Sequence, residues 1–600
     1  MTSARRHAVL GLLVALTVAT LPATSFAAHD DLVLDRVAGD DRVATAVAIS
    51  REGFDTADTA LLARADDFAD ALAATPVAAA LGAPLLLTDR DAVPAEVEAE
   101  LERLGVGTVI LLGGEAAIGP GVEGDLADRE VRRVHGVNRY ATAVALADEL
   151  EAPTGAVVAS GEHFTDALSA APLAAHLGWP LVLSLPDRLG TSTRDFLADL
   201  APAEVLLVGG TSVIDDDVEA DLTTLADRVT RLAGTDRYST GLAVHDEAVA
   251  RGMGTGTIWL ATARAFPDAL AAGATVVATG GSLVLVDGHD LREPLEVVQH
   301  LRTLVDAPDP MQRLVMVGGP GAITRDAIWQ VDVVLDGTEL PRGGLTLFPR
   351  NRIVAFYGNH TAAAMGVLGE QPPDQAYDRL WDQAAPYEVL GDRQVLPTFE
   401  LIVTVATAGP GDDGDYSKWS SPDQIQPWLD AARRDGVYLL LDIQPGRSDF
   451  LTEVRRYETF LMQPDVGIAL DPEWRMDADE VPGRSVGEVD AAEVNAVADY
   501  LAELVRTHAL PQKLLVVHQF QTRMVERRDL IGNPAELAVL FHMDGHGSQG
   551  AKRNTYAAVS DSTGRWWNGF KLFYDEDTDM MEPAELLGTV QPIPDLISYQ

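Results

Sequence analysis

Cysteine is absent from all 600 residues, so disulfides and thiolate chemistry are both excluded and every fold in the chain must be held by its own core. Lysine is almost absent too: Lys418, Lys513, Lys552 and Lys571 are the only four. No cluster of basic side chains occurs, which excludes a nucleic-acid partner, because a phosphate backbone is bound by gathered Lys and Arg. After the first thirty residues no uncharged run is long enough to span a bilayer, so no membrane span is expected once the N-terminal segment is removed. Glycine pairs occur, but not the G-x-G-x-x-G spacing or the acidic ribose partner of a dinucleotide site, and no cofactor is expected.

What is present begins with an export signal. Arg5 and Arg6 precede an apolar run from Ala8 to Leu21, followed by the small-x-small triplet Ser25-Phe26-Ala27. Residues 1–27 are expected to be a cleaved signal peptide; the competing membrane anchor needs roughly twenty apolar residues, more than this run has. The formal charge of −46 is spread along the chain, giving an acidic, lysine-poor surface of the kind salt would screen. Six hundred residues exceed one hydrophobic core, so several domains are expected.

Self-comparison finds three repeats. Arg36-Val-Ala-Gly-Asp-Asp-Arg42 recurs as Arg133-Val-His-Gly-Val-Asn-Arg139 and Arg231-Leu-Ala-Gly-Thr-Asp-Arg237, at steps of 97 and 98 positions between the last arginines. Asp-Ala-Leu follows at Asp70, Asp166 and Asp268, and an apolar strand ends in Gly-Gly at Gly113, Gly209 and Gly318. Within the first copy, Asp40-Asp41 offers N-cap oxygens to a helix, Ala60–Ala63 reads as a buried strand, 68–81 as a helix stopped by Gly82 and Pro84, and 85–87 and 108–112 as further strands. Continuous apolar strands between helices predict parallel sheets covered on both faces, in Rossmann-like or flavodoxin-like α/β units. The repeats are bounded at 28–127, 128–225 and 226–336.

These motifs, with Gly161-Glu-His-Phe-Thr-Asp166-Ala-Leu and Leu206-Leu-Val-Gly-Gly210, resemble the cell wall-binding repeat 2 family of Gram-positive surface proteins. The resemblance implies a pseudo-threefold module that holds an anionic cell wall polymer or peptidoglycan-associated glycan non-covalently, and a secreted protein at the wall or cell surface. The family's Pro-Ile-Leu-Leu-Thr segment, linked to polymer binding, appears as Pro84-Leu-Leu-Leu-Thr88, shifts to Pro180-Leu-Val-Leu-Ser184, and is lost in Ser282-Leu-Val-Leu-Val286. A polyanionic protein repels a polyanionic polymer unless arginines, divalent cations or salt intervene. Arg42, Arg139 and Arg237 recur at the helix starts as candidates for wall binding; their competing role is to pair with acids at repeat interfaces.

From 340 to 600 the period vanishes and Trp, Tyr, His and lysine concentrate. Eight apolar strands can be marked, at 353–357, 396–407, 437–443, 466–470, 514–517, 538–541, 570–574 and 596–599, with amphipathic segments such as 490–506 between them. This predicts a (β/α)8 TIM-like barrel, whose chemistry belongs at the C-terminal ends of the strands. Polar residues do follow the strands: Tyr357 and His360, Asp442 and Gln444, Asp471 and Glu473, His518, then His542, Asp544 and His546, then Asp575.

Gly467-Ile-Ala-Leu-Asp471-Pro-Glu473-Trp474 carries two carboxylates at i and i+2, which on a strand share a face; two such neighbours cannot both ionise cheaply, so one becomes an acid near neutral pH. The segment resembles the Asp-Gly-x-Asp-x-Asp-x-Glu strand of family 18 chitinase-like glycosidases, with Ala469 and Val466 at two of its Asp positions. Glycoside hydrolysis commonly uses two carboxyl groups across the bond. Glu473 is therefore the candidate acid, Asp471 its orienting neighbour, and Asp544 or Asp575 the nucleophile or base. Trp474, Tyr574, Trp567, His518, Asp442 and Tyr357 are candidate substrate contacts on an envelope or extracellular polysaccharide. The alternatives are a non-catalytic adhesion barrel, and a metal-dependent hydrolase or deacetylase using His542, Asp544 and His546.

Overall fold

The computed structural model describes residues 32–600; the expected signal peptide lies outside them. The fold class is as expected, α/β throughout, with the N-terminal half built on three four-stranded parallel sheets. The first holds Leu85–Thr88, Thr59–Arg64, Thr108–Leu112 and Glu130–Val134 in that order, the second Leu181–Ser184, Gly155–Ser160, Glu204–Val208 and Val229–Leu232. In each, the last strand comes from the opening motif of the next repeat, so the sequence period straddles the sheets. The third sheet has no following repeat. Its edge is completed from the other end of the module, where Val33–Val37 lies parallel to Arg313–Val317, Val33 opposite Arg313 and Val37 opposite Val317. Three repeats thus close into a ring without any covalent link.

The repeated landmarks are the contacts that hold this ring. The Asx before each helix start is its N-cap: Asp41 accepts from the amides of Val43 and Ala44, Asn138 from Ala141, Asp236 from Tyr238 and Ser239. The Gly-Gly turns pack on the Asp-Ala-Leu aspartates. A Cβ on Gly113 or Gly318, both at positive φ, would come within 2.5 or 2.3 Å of Asp70 or Asp268 Oδ2, so no larger residue fits. Phe68, Phe164 and Phe266, each two residues before that Asp, meet as a triangle with ring centroids 5.4, 5.4 and 6.2 Å apart. In the first repeat the expected 68–81 helix is confined to Thr75–Ala80, opened by Pro76 at its first turn, whereas the second and third repeats have continuous helices at Phe164–Leu177 and Pro267–Ala278.

In the C-terminal half, among the described residues, eight parallel strands close a barrel: β1 (Asn351–Gly358), β2 (Gln394–Ala406), β3 (Tyr438–Ile443), β4 (Val466–Leu470), β5 (Lys513–Gln519), β6 (Leu537–Met543), β7 (Trp567–Leu572) and β8 (Leu596–Tyr599). β1 pairs with both β2 and β8, which completes the circle. A short strand, Ser417–Trp419, folds back antiparallel on the end of β2. Helices cover the outside; Ala491–Thr507 buries Val494, Val497, Ala498, Leu501 and Leu504, as its period predicts. Inside, Ile353, Ala355, Leu396, Leu440, Ala469, Val516 and Leu540 form the floor, closed at the strand starts by Leu347 and Phe348. The N-terminal module abuts this same lower end: Arg292 Nη2 donates to the Ala535 carbonyl at 2.8 Å, just before β6. The upper rim therefore opens away from the module. No helix among the described residues is long and apolar enough to cross a membrane.

Candidate active site at the barrel rim

Side chains alternate along a strand, so every second residue faces the barrel interior. Following the inward positions upward, each strand changes from apolar or small to polar at one level: Ala355 to Tyr357, Thr398 to Glu400, Leu440 to Asp442, Ala469 to Asp471, Val516 to His518, Leu540 to His542, Gly569 to Lys571, Leu596 to Ser598. All eight of these polar residues are buried. Above them opens a cavity of about 580 Å³, lined among others by Tyr357, Gln444, Glu473, Trp474, Phe520, Asp544, His546, Lys571 and Phe573.

The layer is tied by short polar contacts. His518 bridges two carboxylates, Nε2 at 2.9 Å from Glu400 Oε1 and Nδ1 at 3.0 Å from Asp544 Oδ2. Lys571 Nζ donates to the same Asp544 oxygen at 3.2 Å and lies 3.3 Å from the centre of the Tyr357 ring. The Tyr357 hydroxyl donates to Asp442 Oδ2 at 2.9 Å. His542 Nε2 is 3.1 Å from Ser598 Oγ, and it fits because β7 has Gly569 beside it, where a Cβ would approach the imidazole to 2.6 Å. Asp442 Oδ1 and Asp471 Oδ1 are buried with no hydrogen-bond partner in the protein.

These contacts drive the acids apart. Burial would raise Asp544, but the Lys571 ammonium and His518 outweigh it and hold the carboxyl far below the usual carboxylate range. Glu400 is likewise held low: burial opposes, and its hydrogen bond with His518 wins. Burial and then the Asp544 charge push Glu473 up to about 7. Asp442 rises to about 6, and Asp471 well above its ordinary value, both chiefly through burial. His518 goes up despite burial, through its hydrogen bonds to Asp544 and Glu400, while burial brings His542 down to about 3.

The sequence-predicted residues divide. Asp471, Glu473 and Asp544 come together, each with an oxygen within 4.8 Å of the others. Glu473 reaches the cavity differently from the expectation: β4 ends at Leu470, and Asp471 caps a single 3-10 turn, Pro472–Trp474, that carries Glu473 and Trp474 over the opening. Tyr357 and Trp474 line the cavity; His518 and Asp442 sit beneath it. Trp567 is corrected: as the first residue of β7 it lies at the opposite end, against Phe348 with centroids 4.9 Å apart. Asp575 is exposed beyond the strand and does not line the cavity, and Tyr574 instead stacks on Tyr599 and donates to Gln383. The His542, Asp544, His546 metal set is corrected too. β6 ends at Met543, so alternation stops there; His542 is inside the barrel and His546 is exposed against Phe573.

In the barrel, among the described residues, two other sets have ligand spacing, Asp471–Glu473–Asp544 and Glu400–His518–His542. The second is filled by a cationic His518 whose two nitrogens are already engaged, so it acts as an internal counter-charge. Glu400 and Lys571 were missed from the sequence, although each is the one charged residue of its strand, which is the available signal.

In the N-terminal module the three arginines behave alike. Arg42, Arg139 and Arg237 Nη1 donate to the carbonyls of Ala65, Gly161 and Ala263, at 2.9, 2.6 and 3.2 Å. Their hydrogen bonds go to backbone oxygens, while the charges of Arg42 and Arg237 also bear on the buried Asp268 and Asp166 of neighbouring repeats. Pro84 and Thr88, expected as polymer contacts, are both buried: Pro84 precedes the buried strand Leu85–Thr88, and Thr88 Oγ1 donates to the carbonyls of Asp89 and Ala92.

Residues 36–123, 133–219 and 231–328 each match the family model of cell wall binding domain 2 (CWB2). The N-terminal module is three CWB2 repeats. The chain is 29% identical over 263 residues to the N-acetylmuramoyl-L-alanine amidase LytC of Bacillus subtilis, covering 44% of this chain and 52% of that protein. It is 33% identical over 207 residues to the amidase enhancer of the same organism, covering 34% of this chain and 28% of that one. The chain thus spans about half or less of these relatives' length. Among solved structures, Cwp6 from Clostridium difficile aligns with a TM-score of 0.48 at 17% identity, over 69% of this chain and 63% of that one. Cwp8 aligns with a TM-score of 0.46 at 26% identity, over 51% and 52%. Through its CWB2 repeats the protein is cell wall-associated.

Proposed function

We propose that the CWB2 ring holds the protein, exported by its N-terminal signal, on an anionic wall polymer, and that the barrel hydrolyses a glycosidic bond in an envelope or extracellular polysaccharide. The observation that carries the enzymatic half is the opposed protonation of two carboxyls in one cavity: Glu473 near 7, Asp544 ionised. Such a split assigns acid and base. Glu473 protonates the leaving oxygen as the C–O bond breaks. Asp544, with Oδ2 held by His518 and Lys571, bonds to the sugar carbon as the leaving group departs; water, giving its proton to the Glu473 carboxylate, then cleaves this glycosyl ester and restores both carboxyls. Their oxygens lie within 4.8 Å, which fits the roughly 5 Å of retaining enzymes better than the 6.5 Å or more that inversion needs for an intervening water. Gln444 offers the cavity a polar side chain for substrate hydroxyls, and Trp474 and Phe573 give it apolar faces.

The test is release of reducing ends from a panel of wall and extracellular polysaccharides by the full-length protein and by Glu473→Gln. Cleavage by the parent that the variant loses supports the proposal. A parent inactive on the whole panel sinks the enzymatic half and leaves a barrel that only binds. Wall holding is scored separately, by sedimentation with purified walls across a salt series. Because the chain carries −46, binding is expected to strengthen as salt or divalent cations screen it. Failure to sediment at any salt removes the anchoring claim.

A further inference from the structure

The three CWB2 repeats keep their central contacts but differ at one equivalent place, where two helices of each repeat face each other. Counted from the helix starts, the facing positions are Ser50 and Glu100, then Ala147 and Phe196, then His245 and His300. In the first repeat Ser50 Oγ donates to the buried Glu100 at 2.7 Å, and Arg51 and Arg103 neutralise it. In the second, Ala147 and Phe196 line a surface groove. In the third, His300 Nε2 lies 3.0 Å from His245 Nδ1, with the rings at 89° to each other.

Two imidazoles in this arrangement share one proton between the facing nitrogens. With that proton gone, the same nitrogens are close to the roughly 3.3 Å that separates two ligands of a tetrahedral ion at about 2.05 Å. The outer nitrogens are already placed: His245 Nε2 is 2.9 Å from Ser282 Oγ, and His300 Nδ1 is 3.7 Å from Asp246 Oδ1. The Ser282 hydroxyl is an outer partner of the kind that fixes the tautomer a metal-bound imidazole requires, while Asp246 lies beside the pair as a further oxygen ligand. Ser282 stands where the other repeats have Pro84 and Pro180, so the same repeat departs at both sites. Asp246 is exposed, and the three side chains can bring ligand atoms within 4.8 Å of one another. Burial keeps both imidazoles below their ordinary pKa, His245 at about 3.

We propose that His245, His300 and Asp246 form a binding site for a transition-metal dication of the Zn²⁺ or Ni²⁺ class, clamping two helices of the third repeat. Two imidazoles and a carboxylate suit such ions rather than Ca²⁺ or Mg²⁺, which take oxygen ligands. Water completes the coordination on the exposed side.

Calorimetric titration of the metal-stripped full-length protein with Zn²⁺ tests this, in the parent, in His300→Ala and in the barrel variant Asp471→Asn. One site per chain is expected, weakened at least tenfold in His300→Ala and unchanged in Asp471→Asn. Asp246→Asn, a change at an exposed position, is expected to weaken it several-fold and guards against misfolding of the histidine variant. No uptake by the parent at micromolar Zn²⁺, or parent-like affinity in both module variants, overturns the site.

Discussion

His518 Nδ1 stands 3.0 Å from Asp544 Oδ2 while its other nitrogen contacts Glu400, so one imidazolium spans two buried carboxylates across the barrel. A side chain with no exposed surface is held charged only because it is bracketed in this way. His518→Ala leaves Glu400 and Asp544 without that bridge. Removing one member of a buried charged set costs roughly 3–5 kcal/mol, so the barrel's unfolding transition should fall by several degrees, read by calorimetry.

Glu473 sets the pH behaviour. Its folded pKa, about 7, lies above the ordinary 4.5, so its protonation stabilises the fold fully below pH 4 to 5 and that stability is lost as pH rises through 7. At about 1.4 kcal/mol per pH unit the loss is about 3 kcal/mol. Glu473→Gln, permanently neutral, should melt higher than the parent at pH 8 and about equal at pH 4. The same variant should lose 10²- to 10⁴-fold in kcat/KM, and the parent's activity should decline as pH passes 7.

Lys571 opposes that rise in Glu473. Lys571→Met removes the opposing charge, so the alkaline limb of the kcat/KM profile should move to higher pH while the maximum falls, because Asp544 loses a partner that keeps it ionised. A limb that stays in place shows that Glu473 is not the group being titrated.

Closure of the CWB2 ring rests on Arg36, whose guanidinium donates to the carbonyls of Gly318, Ile323 and Thr324 at 2.8 to 2.9 Å across nearly the whole module. Arg36→Ala leaves three acceptors without that donor and should cost about 2–3 kcal/mol. Thr88→Val, which changes a buried hydroxyl bonded only to its own turn, should leave wall sedimentation intact.

The repeat period, the strand–helix order and the barrel's eight strands were legible in the sequence because each depends on local chemistry: Asx caps, glycine turns, apolar runs of strand length. Glu473 and Asp471 were legible as adjacent acids after a strand. Glu400 and Lys571 were not, since a charge within an apolar strand has no meaning until the barrel closes and points it at the others. Trp567 was misplaced for the complementary reason: its strand begins three residues earlier than its apolar pattern suggests, which moves the indole to the barrel floor.

The sequence alone determined that three copies of one α/β unit precede a different α/β domain, because a period and an alternation are properties of the chain. Tertiary structure decided which sheet Val33–Val37 completes, which acids share a cavity and which of them holds a proton. Those depend on burial and on distances between residues far apart in the chain, here Glu400, Glu473, His518 and Asp544, and electrostatic strength follows distance and exposure to water rather than position in the sequence.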